Sequence, residues 1–233
     1  MTRQPPSLLD CIEIETAPSP RHAIVWMHGL GADGHDFEPI VDELDLDGLP
    51  PIRFVFPHAP MRAVTINGGF VMRAWYDIVS LDFSQRREDP AGVIESAAQI
   101  EALIRRENDR GVPDTQLILA GFSQGGAIAL YTGLRHPARL AGILALSTYM
   151  PLIDQLESEA SEANRSVPIF QAHGQQDGVI PHAFGKQSGD RLAALGYPLE
   201  WHSYAMDHGL CVPELRDIER WIHARFASPP ATS

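Results

Sequence analysis

Seven short runs rich in aliphatic side chains recur along the chain: CIEIETA, HAIVWMHG, RFVFPH, QLILAGF, LAGILALS, VPIFQAHG and LEWHSYA. Most are unbroken apolar runs and lack an apolar/polar alternation, the pattern of strands buried on both faces. Segments with helical spacing fall between them, at 35–44, 90–110, 124–135, 182–196 and 213–226. In the second of these, Ile94, Ala97, Ala98, Ile100, Leu103 and Ile104 form the expected apolar face. Strands alternating with helices predict an α/β fold: a mostly parallel, doubly wound sheet with functional loops at the strand C-termini. The first run alternates polar and apolar residues, so it is expected at an edge or antiparallel.

The chain has 233 residues, 44% of them hydrophobic, which suits one domain spanning 1–233 with a folded core over about 10–226 and a flexible tail at 227–233. Residues 154–166 are acidic and weakly periodic, and are expected to form a solvated loop or short helix, with a mobile flap as the alternative. Eighteen Lys and Arg against thirty Asp and Glu give a net charge of −12, with no basic block, so nucleic acid and anionic lipid are excluded as partners. Two cysteines, Cys11 and Cys211, lack metal-site or disulfide spacing, and no apolar run reaches the ~18 residues of a membrane span. A cytoplasmic protein without stable membrane insertion is expected.

One strand-to-helix junction carries chemistry. In GFSQG, Gly121 and Gly125 flank Ser123 two residues away on either side. They allow strand and helix to approach, which pushes the serine into a strained backbone with its hydroxyl exposed. The backbone N–H of Gln124, at the helix start, then faces a developing oxyanion. An isolated match of this kind is as often an ordinary glycine-rich turn, so the serine needs partners. Two later strand ends supply them. VPIFQAHG runs into a loop holding Asp177, and LEWHSYA runs into His208. The order serine, acid, histidine is that of α/β-hydrolases. A histidine takes the serine proton and returns it to the leaving group, while a carboxylate fixes its tautomer. Asp177 is preferred over Asp207, whose side chain diverges from that of its neighbour in sequence. His28, His58 and His173 also end strands, and are read as structural or loop-positioning.

Residues 29–34, GLGADG, satisfy the dinucleotide pattern G-x-G-x-x-G. Asp33, Asp36 and Glu38 would crowd a pyrophosphate, and the next strand lacks the acidic ribose ligand, so this reading is disfavoured. The same loop instead offers the backbone N–H of Leu30 as the second oxyanion donor.

The elbow GFSQGGAIALYTGL, the loop HGLGADGHDFEPI, the stretch FPHAPMRAVTINGGFVMRAWYDI, the acid loop HGQQDGVIP and the terminal MDHGLC occur in order between about residues 20 and 225. Together they resemble the acyl-protein thioesterase and carboxylesterase family of α/β-hydrolases. The resemblance implies Ser123 as nucleophile, Asp177 as acid, His208 as base, and Leu30 and Gln124 as the oxyanion hole. It further implies that VTINGGFVMRAWYDI borders the acyl-binding surface through Trp75, Met72 and Phe70, with core packing as the competing role for each and for Tyr76. The expected activity is serine carboxylesterase or acyl-thioesterase hydrolysis of short-to-medium acyl groups through an acyl-enzyme. Lysophospholipase activity would be secondary. The expected partners are a small-molecule ester or thioester and a second copy in a homodimer; no metal or organic cofactor is implied, and any cap is minimal. A non-catalytic binding module on the same scaffold is the alternative from another class.

Overall fold

A computed structural model describes residues 8–80 and 88–227. The expected tail, apart from Ala227, lies outside the described residues. The strands are β1 (Cys11–Glu15), β2 (His22–Met27), β3 (Ile52–Pro57), β4 (Met61–Val64), β5 (Phe70–Arg73), β6 (Leu117–Phe122), β7 (Gly142–Leu146), β8 (Ile169–Gly174) and β9 (Leu199–Tyr204). Seven of them form one sheet in the order β1-β3-β2-β6-β7-β8-β9. All seven come from the runs singled out in the sequence. Only β1 is antiparallel, pairing with β3 at the sheet edge. Its alternating pattern matches a strand with one face open to water.

The helices are α1 (Ile40–Glu43), α2 (Pro90–Asp109), α3 (Gln124–Arg135), α4 (Leu156–Glu159), α5 (His182–Ala194) and α6 (Val212–Phe226). Alternate strand residues sort into two cores because successive side chains point to opposite sheet faces. Ala23, Val25, Leu117, Leu119, Ile143 and Ala145 pack with α2 and α3. Ile24, Trp26, Phe54, Phe56, Ile118 and Leu144 pack with Ile218, Trp221 and Ile222 of α6. This sandwich is the α/β-hydrolase fold. Residues 175–181 join β8 to α5 directly, with no large insertion.

Two local expectations change, and a third, the short helix expected within 154–166, is met by α4. The buried face of α2 is Val93, Ser96, Ala97, Ile100, Leu103, Ile104 and Glu107, while Ile94 and Ala98 face solvent. The Asp89 cap fixes the helix start, and buried Glu107 reaches Arg53 at 2.7 Å; together they set the rotation. The segment 154–166 is anchored. Leu156 is buried in the core, and the Asn164 side chain accepts from the Leu140 N–H and donates to the His136 and Ala138 carbonyls. Residues 61–73, not singled out as strands, form the separate hairpin β4–β5.

Candidate active site

Ser123 sits between β6 and α3 with φ 54° and ψ −118°, a left-handed backbone that a non-glycine residue adopts only when its surroundings impose it. The surroundings are explicit. A Cβ on Gly121 would lie 2.3 Å from the Gly125 carbonyl carbon, and one on Gly125 would lie 2.2 Å from the Met27 carbonyl oxygen. Strand, elbow and helix therefore fit only with both glycines. The Ser123 N–H donates to Leu146 at 2.8 Å, and the Thr148 hydroxyl donates to the Ser123 carbonyl at 2.6 Å. These bonds hold the strained turn on both sides.

The acid and the histidine meet as their order suggested. His208 Nδ1 lies 2.7 Å from Asp177 Oδ2. The other oxygen, Oδ1, accepts from the N–H groups of Val179 and Ile180, each at 2.8 Å. Three donors thus aim one buried carboxylate, and Asp207 is exposed and takes no part. The His208 ring packs on Phe122, the residue before the serine, with centroids 4.7 Å apart.

The loop after β2 lies against the elbow: a Cβ on Gly29 would be 3.5 Å from that of Ser123. This brings Leu30 beside the serine. Gln124 begins α3, so its backbone N–H has no acceptor within the helix. His28 braces the loop, with Nδ1 at 2.6 Å from the Gly29 carbonyl and Nε2 accepting from the Ala59 N–H at 3.0 Å. Burial pulls its pKa down to about 4, consistent with a neutral ring that donates at one nitrogen and accepts at the other. His58 accepts the Gly34 N–H at 3.0 Å. The pyrophosphate reading of this loop fails on geometry, because the third glycine opens only the three-residue turn Gly34–Asp36.

A cavity of about 130 Å³ opens on Ser123, Gln124 and Leu30, and its apolar walls include Ile66, Ile78, Val179 and Ile180. Tyr76, Ser80 and Tyr149 also line it. Trp75, Met72 and Phe70, expected either on the acyl surface or in core packing, do not line this cavity. Trp75 is fully buried, and its indole N–H donates to the His28 carbonyl; a buried indole needs such an acceptor, and this one lies in the core. Met72 packs on Gly31, 3.7 Å from where its Cβ would be. Phe70 is 69% exposed on the hairpin. Residues 65–78 do contribute a wall, but through Ile66, Tyr76 and Ile78. The Gln124 side chain was also missed: it accepts from the Trp75 N–H and donates to the Tyr76 carbonyl, tying that wall to the elbow.

With this geometry in place, comparison with known proteins gives a consistent result. Residues 9–225 match the family described as Phospholipase/Carboxylesterase. The chain belongs to this family. Acyl-protein thioesterase 1 of Neurospora crassa is 36% identical, with 97% of this chain and 94% of that protein aligned. Among solved structures, SOBER1 of Arabidopsis thaliana superposes with a TM-score of 0.84 at 32% identity, covering 88% of this chain and 99% of that one. Acyl-protein thioesterase 2 of Zea mays gives 0.83 at 28% identity, covering 94% and 99%. Like other members of the phospholipase/carboxylesterase family, the chain is a serine hydrolase by class. No described helix is long and apolar enough to cross a membrane.

Proposed function

We propose that this protein hydrolyses acyl esters and thioesters of short-to-medium chain length through an acyl-enzyme on Ser123. The observation that carries the reading is the 2.7 Å contact between His208 Nδ1 and Asp177 Oδ2. With Nδ1–H given to the carboxylate, Nε2 keeps its lone pair for the serine proton. Ser123 Oγ attacks the acyl carbonyl carbon while His208 Nε2 removes the hydroxyl proton. The resulting oxyanion accepts from the backbone N–H groups of Leu30 and Gln124. Collapse expels the alcohol or thiol, which takes the proton back from His208. A water, deprotonated by the same nitrogen, then attacks the acyl-enzyme and releases the carboxylic acid and free Ser123.

The apolar cavity beside Ser123 supports a hydrocarbon acyl group, and its small volume favours the shorter chains. Acyl-protein thioesterases among the relatives support a thioester as one substrate, with lysophospholipid hydrolysis as a secondary activity. Free Cys11 and Cys211 suit action in the cytoplasm. The family resemblance supports a homodimer, which light scattering would resolve.

The test pairs Ser123→Ala with a graded panel of p-nitrophenyl esters and an acyl thioester. Loss of ~10⁴-fold or more in kcat on both substrate types, with the fold retained, is the expected result. An organophosphonate should label Ser123; near-normal turnover in the variant, or a label elsewhere, overturns the assignment.

A further inference from the structure

Behind the acid loop lies a histidine with no part in the mechanism above. His173 is at the end of β8, fully buried, with its ring stacked near Trp201 and edge-on to His182. Its Nε2 lies 2.9 Å from the Ile180 carbonyl oxygen and 3.2 Å from Asp177 Oδ2. Its Nδ1 is buried with no hydrogen-bond partner among the described residues. It faces Gly185, where a Cβ would come within 2.3 Å. A ring whose Nε2 faces two acceptors, the Ile180 carbonyl and Asp177 Oδ2, and whose buried Nδ1 has no acceptor carries its single proton on Nε2.

Ile180 stands at a junction. Its N–H donates to Asp177 Oδ1, its carbonyl accepts from His173, and it lines the cavity that opens on Ser123. Val179, which also donates to Asp177 Oδ1, lines the same cavity. Whatever holds the Ile180 carbonyl therefore fixes one side of a residue whose own N–H aims the carboxylate and whose side of the loop walls the acyl cavity.

We propose that His173 is a positioning residue whose Nε2–H, by clamping the Ile180 carbonyl, sets both the aim of Asp177 and the shape of the acyl cavity. The inference rests on Asp177 being the triad acid. Burial lowers the pKa of this ring, which keeps the proton count the clamp requires. The ionisable groups that act on it are Asp177, which favours its cation, and His182 and His208, which oppose it.

Two variants separate positioning from bulk packing. His173→Phe keeps a flat ring but leaves the Ile180 carbonyl without its donor and removes the 3.2 Å approach of Nε2 to Asp177 Oδ2. His173→Gln places an amide N–H near the position of Nε2. For the phenylalanine variant, kcat should fall on the order of tenfold to a hundredfold, the cost of one unpaired buried acceptor. Its acid limb of kcat/KM should move to lower pH, because a poorly aimed carboxylate supports the histidine cation less. KM should lose its dependence on acyl length as the wall relaxes. The glutamine variant should recover part of all three. A phenylalanine variant with wild-type kcat, acid limb and chain-length profile overturns the proposal, as does a folded glutamine variant no better than it. Should neither variant fold, ¹⁵N-histidine NMR of the wild-type protein decides. A neutral Nε2–H tautomer for His173 across the pH range of activity is expected, and an Nδ1–H tautomer or a cation there overturns the clamp. Phosphonate labelling away from Ser123 would instead defeat the hydrolase assignment, and leaves the NMR result to be judged separately.

Discussion

The indole N–H of Trp75 donates to the carbonyl oxygen of His28 across 2.8 Å, joining the segment after β5 to the loop that carries Leu30. Both residues are buried, so no water replaces this bond if it is lost.

Trp75→Phe is therefore expected to leave the His28 carbonyl unpaired, at about 1–3 kcal/mol. Part of that cost should appear as a melting temperature lower by several degrees. The rest should appear in kcat, since a shifted Leu30 N–H weakens oxyanion stabilisation, with KM little changed. Steady-state kinetics beside a thermal melt checks both. A variant that melts lower but turns over normally would show that the bond serves only the core.

Asp177→Asn should lose ~10⁴-fold in kcat, because an amide no longer fixes the imidazole tautomer. Asp207→Asn should keep most of its activity, since that side chain is exposed and lies outside the acid's hydrogen bonds. Measuring the two side by side, with circular dichroism to verify the fold, decides between them. The reverse ranking would mean that the 2.7 Å contact at Asp177 is not the working one.

Glu214, in the first turn of α6, is fully buried, with neither carboxylate oxygen hydrogen-bonded among the described residues. Burial pushes its pKa up to about 8, an effect that the nearby Cys211 backbone N–H only partly offsets. A raised carboxyl pKa means that the folded state holds the proton more tightly than the unfolded chain. The stability it contributes is complete below the ordinary value of 4.5 and is lost as pH rises through about 8. Within that window the slope is about 1.4 kcal/mol per pH unit. Glu214→Gln, which stays neutral, should match wild type near pH 4.5 and become the more stable of the two by pH 8. Denaturant melts across that range check it; parallel curves would place the carboxylate in contact with water.

How much was legible in the sequence follows from what each signal depends on. The seven sheet strands and the approach of His208 to Asp177 could be read because each rests on local pattern: apolar runs bounded by turns, and Ser123, Asp177 and His208 at strand ends in the order serine, acid, histidine. The hairpin escaped because Met61, Phe70 and Val71 are exposed, so its apolar residues do not mark a buried face. The choice between acyl surface and core packing stays open in the sequence for a related reason. Trp75 and Tyr76 are adjacent aromatics, each with one polar tip, and which of them reaches the cavity is set by how the folded chain turns them. The contacts of His173 and of the Gln124 side chain are between residues distant in sequence, and no local pattern encodes them.

The β4–β5 hairpin pairs only with itself, outside the main sheet. It meets the rest of the site through bonds such as Gly31 N–H to Arg73 and Ile66 N–H to Ile78. The proposed triad of Ser123, Asp177 and His208 is instead carried by the ends of β6, β8 and β9. Residues 65–69 at the hairpin tip carry no rung of the central ladder. One wall of the cavity, supplied by Ile66, can therefore vary apart from the reaction, whereas the wall supplied by Val179 and Ile180 is tied to the Asp177 carboxylate and cannot.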